Sequence, residues 1–537
     1  MKNRVLVTLC LCVSMVFPQS LTFGQTFRSD DPISIDRDSL PIPKPPRRKI
    51  NDYYDFLENT FMKVGDKTAR RAMNINTLGE VPDSSWFTNR IGEGRISSAE
   101  IVRGPNQGSG PAPGALTVIG GKTQGITPGF TVRDSSGDIY FLKFDPATNP
   151  EMATAAEMIS SKFFHALGYN VAEQYIIKFR PADLKISPEA RVRNELDEET
   201  PLTTQFIQKL LAPVAHDAEG VVRAIAGKLI PEGIGPFKFY GTRRGDSNDI
   251  FPHEHRRELR GYYVFCSWLN HDDSRSVNTL DAYAGEAGKG FVKHYLLDFG
   301  STLGSASLFA QKLRPGNEYM WEARPTFASM LTLGIWQRQW VSVKYPNYPS
   351  IGRIEADFFR PDRWKPEYPN PAFHNMDVED AFWATRLVMM FSDQDIRNMV
   401  ATGMISDQRA SAYLADTLIK RRDKIGNYWL RQVSSLDGFQ VSGDTLAFED
   451  LLVKYKFAEG MQAQSVRFAS FDNKTGQRTA LGEASTIRER RVSIPSNVTG
   501  AAEGSFFVAT LATDAHSVDV FLKKEKSLLK IVGLQRK

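Results

Sequence analysis

The chain has 537 residues, which is too long for one ordinary hydrophobic core and predicts about two to four domains. Apolar residues make up 41% and charged residues 24%, as in ordinary globular proteins. The formal net charge of +5 is too small to indicate a nucleic-acid-binding protein, and no basic stripe with interleaved aromatic residues is present. We therefore expect no nucleic-acid partner.

The N-terminus has the order of a secretory signal peptide. Lys2 and Arg4 precede an apolar run at residues 5–17, and small or polar residues follow to residue 25. The alternative is a membrane anchor, but the run of about 13 residues is shorter than the roughly 20 needed to span a bilayer. We expect cleavage of residues 1–25, no transmembrane span afterwards, and export to the periplasm or cell envelope of a bacterium. Cys266 would then be the remaining cysteine, which excludes an intramolecular disulfide.

Breaker-rich stretches divide the rest of the chain. Residues 26–110 begin proline-rich and are predicted to be an N-terminal extension or linker, ending in a Gly/Pro-rich boundary. Residues 111–238 contain strand-like runs and one helix. Residues 239–435 are mainly helical in pattern, and residues 436–537 alternate as in a small β-sandwich. The pattern predicts an α+β protein. The aromatic pair Trp86 and Phe87 is predicted to anchor the extension by packing.

A strand followed by a helix carries the first candidate site residues. Alternation in residues 139–144 places Lys143 on the same face as Ile139 and Phe141. A helix is predicted to begin at Pro150, with Asn149 as its N-cap, and Glu157 flanks its apolar stripe.

Two polar loops supply the remaining candidates. The sequence HDDSRSVN at residues 271–278 follows an apolar helix. The sequence DFG at residues 298–300 follows a strand-like run. Carboxylates and a carboxamide are oxygen ligands of the kind that Mg²⁺ prefers. A further carboxylate could accept a proton from an attacking hydroxyl group.

These loops resemble the protein-kinase catalytic loop H-x-D-x-x-x-x-N and its metal-binding D-F-G. The resemblance covers about residues 115–310 and is closest to the HipA-type bacterial kinases, because FLKFDP at residues 141–146 precedes Glu157, and Gly168 follows Glu157 by eleven residues. It implies a two-lobed protein-kinase-like fold, with a β-rich N-lobe and a helical C-lobe, and with the N-terminal extension and the C-terminal β-sandwich-like domain outside it. It also implies ATP and Mg²⁺ as cofactors.

The resemblance also implies roles for individual residues. Lys143 would hold phosphate, Glu157 would orient Lys143, and Asp273 would be the catalytic base. Asn278 and Asp298 would bind Mg²⁺. Arg275 stands where protein kinases place a lysine near the transferring phosphate. Residues 222–237 would form the hinge that meets adenine.

Some features depart from the kinase pattern. Gly120, Gly121 and Gly125 lie where a phosphate loop is expected, and they allow backbone N–H groups to approach phosphate, but their spacing is not G-x-G-x-x-G. The same residues do not form a Walker loop, because position 116 is Leu where that motif needs Gly. No A-P-E motif follows Asp298, which leaves the acceptor open as a protein, a sugar or a lipid head group.

The sequence therefore predicts an ATP- and Mg²⁺-dependent phosphotransferase of atypical kinase type. Two alternatives stay open. One is a non-catalytic envelope protein that keeps the kinase-like fold to bind a ligand, since little ATP is expected outside the inner membrane. The other is a nucleotidyl transferase that uses the same site. His253 and His255 could be a metal pair, but no third ligand stands at metal spacing, and a polar helix start is favoured.

Overall fold

The computed structural model describes residues 32–121, 129–193 and 198–537. The described chain has a mixed α+β fold with several sheets. The predicted signal peptide, at residues 1–25, and Gly125 lie outside the described residues.

Most strands of the first half of the described chain belong to one large sheet. The strands of this half are β1 (Thr117–Gly121), β2 (Gly129–Arg133), β3 (Ile139–Phe144), β4 (Asn170–Val171), β5 (Gln174–Phe179), β6 (Lys185–Arg193), β7 (Glu199–Pro201), β8 (Val222–Lys228) and β9 (Gly233–Gly235). The large sheet has the strand order β5-β8-β3-β2-β1-β6-β7, and all neighbours are antiparallel except β1 and β6.

Strand β3 shows how this sheet separates a core face from an open face. Tyr140, Leu142 and Phe144 are buried in an apolar cluster with residues of β1, β2 and β8. Phe141 and Lys143 point to the opposite face, as the alternation predicts. The charged Lys143 therefore lies on the face opposite the core, where it meets the helix at Met152–Ala166.

The helices of the described chain are α1 (Asp52–Leu57), α2 (Ser98–Arg103), α3 (Met152–Ala166), α4 (Thr204–Leu211), α5 (Arg257–Leu269), α6 (Ala323–Leu331), α7 (Pro371–His374), α8 (Val378–Met389), α9 (Asp393–Ala401), α10 (Gln408–Trp429), α11 (Leu451–Lys454) and α12 (Ser496–Thr499). The largest apolar cluster joins α3 with α5, α8, α9 and α10. This cluster fixes α3 between the large sheet and the later helices.

The predicted start of α3 was wrong by two residues. The helix begins at Met152, after Glu151 in the left-handed conformation, and not at Pro150. Asn149 does not cap it, because its side-chain amide donates instead to the carbonyl oxygen of Pro349, 3.0 Å away. The helix ends before Gly168, whose φ of +117° favours glycine.

The prediction of mainly helical structure over residues 239–435 was incomplete. Strands β10 (Thr279–Ala284) and β11 (Phe291–Leu296) lie in this range and join the four-stranded sheet β4-β11-β10-β9. Residues 302–370 are largely irregular apart from α6. The strand-like run that precedes Asp298 in the sequence is β11, whereas the sequence pattern did not identify β10.

The last hundred residues form two further sheets. Their strands are β12 (Leu436–Ser442), β13 (Thr445–Asp450), β14 (Ser465–Phe471), β15 (Arg478–Ala480), β16 (Ser485–Thr486), β17 (Arg491–Ser493), β18 (Phe506–Ala512), β19 (Ser517–Glu525) and β20 (Leu528–Arg536). One sheet has the order β12-β13-β17, and the other has the order β15-β14-β18-β19-β20, with β16 beside β14. Apolar residues from both sheets share one core, which includes Leu446 and Val520.

The N-terminal extension lies along the rest of the molecule as an ordered arm. The backbone N–H of Ile42 donates to Gly290 at 2.9 Å, and that of Arg48 donates to Ile234 at 2.8 Å. Further along, Trp86 and Phe87 are fully buried, and the Trp86 ring stacks on His294. The two aromatic residues act as packing anchors, as expected from the sequence.

Gly168→Ala tests how closely the arm packs on the end of α3. An added Cβ would lie 2.1 Å from the Phe87 ring, so the ring or the turn must move. We expect the free energy of unfolding to fall by about 1–3 kcal/mol more than in Gly137→Ala, measured by urea denaturation. Gly137 is a matched control, because its φ is also positive at +95° but nothing lies within 4 Å of its Cβ position. Equal losses in the two variants would contradict close packing at Phe87.

Candidate active site

Lys143 lies at the centre of the candidate site, between two carboxylates. Its Nζ donates to Glu157 Oε2 at 3.0 Å and to Asp298 Oδ1 at 2.8 Å. The three side chains come from β3, from α3 and from the loop after β11. The structure thus brings together one cation and two carboxylates that are up to 155 positions apart in the sequence.

Glu157 is held in place from its other side. Its side chain is almost completely buried, and Gln174 on β5 donates to its Oε1 at 3.3 Å. A Cβ on Gly300 would lie 3.4 Å from Glu157 Oε2 and 3.9 Å from Asp298 Oδ1. The backbone of the D-F-G glycine therefore lies beside the two carboxylates. Gln174 was not predicted, because a lone strand glutamine carries no motif.

The D-F-G turn is anchored by its aromatic residue. Phe299 is buried and stacks on Phe164 of α3, with ring centroids 4.9 Å apart. Asp298 has a φ of +61°, an uncommon conformation for a residue with a side chain. Packing of Phe299 holds this backbone conformation, which turns the Asp298 carboxylate towards Lys143.

Backbone and side-chain hydrogen bonds shape the HDDSRSVN loop. The side-chain amide of Asn278 donates to the carbonyl oxygen of Asp273 at 2.7 Å, which closes the loop between them. The N–H of Leu297 donates to the carbonyl oxygen of Asn278 at 2.9 Å. This second bond ties the loop to the residue that directly precedes Asp298.

Arg275 has more anionic neighbours than the sequence indicated. Its guanidinium group forms ion pairs with Asp273, with Asp52 at 2.8 Å and with Glu367 at 3.5 Å. Together these carboxylates raise the pKa of Arg275, against the opposing effect of burial. Asp52 belongs to α1 of the N-terminal arm, so the arm reaches the candidate catalytic loop directly.

Asp55, one turn after Asp52, reinforces the contact of the arm. It is buried, and it accepts hydrogen bonds from the Tyr368 hydroxyl at 2.7 Å and from the Ser276 hydroxyl at 3.2 Å. Burial raises the pKa of this carboxyl group. No sequence motif marked Asp52, Asp55 or Glu367, since their partners are more than 90 positions away along the chain.

Burial and charge shift the acid–base properties of the site strongly. Burial would lower the pKa of Lys143, but the attraction of Asp298 and Glu157 outweighs it and raises that pKa. Burial raises the pKa of Asp273 to about 7; Arg275 opposes this shift, and the nearby charge of Asp298 adds to it. Burial also lowers the pKa of His271 to about 3. The pKa of Asp273 therefore lies closer to neutral pH than that of an ordinary aspartate.

The glycine-rich stretch joins β1 to β2, the strand next to that of Lys143 in the sheet. Gly120 and Gly121 end β1, and Gly129 begins β2 directly opposite Lys143 of β3. A Cβ on Gly121 would lie 2.8 Å from Val192, so this glycine is also needed for packing against β6. Gly125, between the two strands, lies outside the described residues.

The proposed hinge range, residues 222–237, contains all of β8 and all of β9. Gly227 of β8 lies opposite Phe141, whose ring is exposed on the face that carries Lys143. The N–H of Leu229 donates to the carbonyl oxygen of Ile139 at 2.9 Å. The backbone of β8 is thus paired on both sides, with β3 and with β5, and the exposed Phe141 ring is the apolar surface next to Lys143.

The donor set fits a magnesium–nucleotide complex. The Asn278 amide uses its nitrogen for the bond to Asp273, which leaves its oxygen, the atom that Mg²⁺ prefers. Asp298 adds a carboxylate. Within the described ranges, no group of three or more His, Cys, Asp or Glu residues could hold a metal ion without other ligands. Phosphate oxygens would have to supply the remaining ligands, as is usual for Mg²⁺.

His253 and His255 do not form a metal pair. Nε2 of His253 lies 2.7 Å from Asp249, whereas Nε2 of His255 lies 3.0 Å from Asp66. Both rings are fully buried in separate hydrogen-bonding networks. Their role is structural, as the sequence favoured.

Comparison with known proteins finds no sequence match and a weak structural similarity. No protein-family model and no curated protein matches the sequence. The structure is similar to the crystal structure of a Helicobacter pylori proinflammatory kinase, CtkA, with 11% sequence identity and a TM-score of 0.28. The match covers 59% of this chain and 99% of that chain. At this level of similarity, the roles of residues rest on the geometry of the site itself.

Within the part of the chain that the structure describes, no helix is long and apolar enough to cross a membrane.

Asp55→Ala tests the contact between the arm and the candidate catalytic loop. The variant removes a buried acceptor of two hydroxyl groups, so we expect the free energy of unfolding to fall by about 1–3 kcal/mol. Asp52→Ala is the matched control from the same helix, since its half-exposed ion pair contributes about 1 kcal/mol or less. Urea denaturation of both variants measures the difference. A smaller loss in Asp55→Ala than in Asp52→Ala would contradict the assigned contact.

Proposed function

We propose that this protein is an ATP- and Mg²⁺-dependent phosphotransferase of atypical kinase type that acts in the bacterial envelope. The observation that carries the proposal is the double ion pair of Lys143 with Glu157 and Asp298. A cation at this position can transfer its contact from a carboxylate to phosphate oxygens when a nucleotide binds.

In this proposal, each side chain has a distinct task. Lys143 holds phosphate, and Glu157 keeps Lys143 in place. Asn278 and Asp298 hold Mg²⁺, which would supply charge neutralisation at the transferring phosphoryl group. Asp273 accepts the proton of the acceptor hydroxyl group, and its raised pKa suits this exchange near neutral pH. Arg275 adds positive charge beside Asp273.

The proposed organisation is that of a two-lobed kinase of HipA type. The large sheet with α3 would be the N-lobe, and the helices from α5 to α10 would be the C-lobe. Gly120, Gly121 and Gly125 would belong to a loop over the phosphates. Support comes from the arrangement of Lys143 on a strand, Glu157 on the next helix and the polar loops after α5 and β11.

The first test is nucleotide binding with and without Lys143. Mg²⁺–ATP at about 100 times its dissociation constant should stabilise the folded chain by about 2.7 kcal/mol, seen as a rise in the melting temperature. In Lys143→Met we expect this rise to disappear, because the phosphates lose their cation. Each variant is compared with its own nucleotide-free sample.

Lys178→Met is the matched control for this test. Lys178 lies on β5 of the same sheet, but its side chain is exposed and lacks the carboxylate pair. It should keep the full response to Mg²⁺–ATP. No response in the wild-type chain at millimolar nucleotide would remove the proposal and favour a binding protein of another kind.

The second test separates catalysis from binding. Asp273→Asn should keep the thermal response to Mg²⁺–ATP but slow transfer by roughly a hundredfold or more, since the proton acceptor is lost. Asp298→Asn should lose both. Mass spectrometry after incubation with ATP and Mg²⁺ reads the product directly. An added nucleotide instead of a phosphate would support the nucleotidyl transferase, and full activity in Asp273→Asn would exclude this residue as the base.

A further inference from the structure

A short segment between the D-F-G turn and α7 projects from the rest of the molecule. No residue at positions 321–344 is buried, and α6 has no buried side chain at all. This is unusual for a segment that contains Trp, Phe, Met, Leu and Ile residues, because a helix normally buries one face.

The most exposed apolar residues lie together at the tip of this segment. Leu331 is 84% exposed, Leu333 is 91% exposed and Ile335 is 84% exposed. Among the large apolar side chains in the described ranges, Tyr53 is the one other that exceeds 80%. Exposed apolar residues are normally scattered singly, so three within five positions indicate a surface that something else covers.

The tip is an ordered turn. The N–H of Gly334 donates to the carbonyl oxygen of Ser329 at 2.8 Å, and the N–H of Ile335 donates to that of Thr332 at 3.0 Å. The N–H of Trp336 donates to the Thr332 hydroxyl at 3.1 Å. These bonds fix the backbone of the turn in a conformation that keeps the apolar side chains exposed.

The base of the segment is also fixed. Arg338 donates to Glu318 at 2.7 Å and to the Ser329 hydroxyl at 2.8 Å. Lys365 donates to Glu322 at 2.7 Å. The segment is thus braced against the neighbouring chain, and its shape is preformed for a contact.

The surroundings of the tip are positively charged. Residues 312–344 contain five basic residues (Lys312, Arg314, Arg324, Arg338 and Lys344) and two acidic residues (Glu318 and Glu322), a surplus of three positive charges. A cavity of about 540 Å³ beside the tip is lined by six basic and four acidic residues, Arg360 and Arg363 among the basic ones. The two arginines share one carboxylate, Asp362, at 3.7 and 3.8 Å.

Charge decides between the surfaces that could cover the tip. A second copy of the chain would meet it in a two-fold contact, which would bring the same positive surface against itself. An anionic bilayer surface is complementary in both respects, because it offers acyl chains to the apolar tip and negative head groups to the basic residues. Tryptophan at positions 336 and 340 suits the boundary between them.

We propose that the segment at residues 319–344 docks the protein on the surface of an anionic lipid bilayer. Leu331, Leu333 and Ile335 insert among the acyl chains, and Arg324 and Lys344 contact the head groups. The contact is peripheral, and it does not depend on the proposed phosphotransferase activity.

Sedimentation with lipid vesicles tests this proposal. The full chain is mixed with vesicles of phosphatidylcholine, or of phosphatidylcholine with about one third phosphatidylglycerol, and the bound fraction is measured. We expect binding to the anionic vesicles to exceed binding to the neutral ones. Replacing Leu331, Leu333 and Ile335 together by Ser should weaken binding to the anionic vesicles by about tenfold or more.

The matched control replaces exposed apolar residues elsewhere on the surface. Ile250, Met404 and Leu528 are 66%, 58% and 69% exposed, and changing all three to Ser should leave vesicle binding unchanged. All the chains compared contain the same N-terminal apolar run, so its contribution cancels. The melting temperature of the tip variant should equal that of the wild type, because its side chains contact no core.

The charge requirement has its own variant. Arg324→Glu with Lys344→Glu should remove the preference for anionic vesicles, whereas Arg409→Glu, an exposed arginine on α10, should not. No binding of the wild-type chain to anionic vesicles would overturn the proposal, as would equal loss in the control triple variant. A wild-type dimer in light scattering that the tip variant converts to a monomer would show that a second copy covers the tip instead.

Discussion

A partly buried ammonium group between two carboxylates is the interaction on which the arrangement of the site depends. Lys143 would be destabilised by burial alone, and Glu157 and Asp298 offset that cost with contacts of 3.0 and 2.8 Å. The three partners belong to β3, to α3 and to the D-F-G turn. Each must therefore keep its position relative to the others, since removing one would leave a buried charge without its partner.

Packing and hydrogen bonds around Lys143 also hold these elements together. Phe299 stacks on Phe164 of α3, so the D-F-G turn and the helix that carries Glu157 share one apolar contact. The bond from Leu297 to Asn278 joins that turn to the loop of Asp273. As a result, acidic groups with raised pKa and a lysine with raised pKa lie in one small region, an arrangement typical of functional sites.

The N-terminal arm is part of the surroundings of the candidate catalytic loop. An extension could have been a simple linker, yet Asp52 contacts Arg275 and Asp55 lies buried beside Ser276 and Tyr368. Positive charge at Arg275 is thus balanced by carboxylates from three separate parts of the chain. The exposed tip at residues 331–335 is the opposite case, because its apolar side chains have no partner within the described molecule.

The sequence alone identified the candidate site residues that can be recognised from short-range spacing. Asp273 and Asn278 share a loop, Asp298 begins D-F-G, and Lys143 and Glu157 lie on a strand and a helix whose periods can be counted. Alternation also gave the correct face of β3. The start of α3 was missed because the Asn149 side chain bonds to Pro349, 200 positions away.

Only the tertiary structure decided which distant groups meet these residues. Asp52 lies 223 positions from Arg275 and Gln174 lies on a strand without a motif, so no local pattern could connect them to the site. Hydrogen bonds and ion pairs act over a few ångströms in space, whatever the separation along the chain. Local spacing therefore identified the chemical groups, and folding selected their neighbours, their burial and their pKa values.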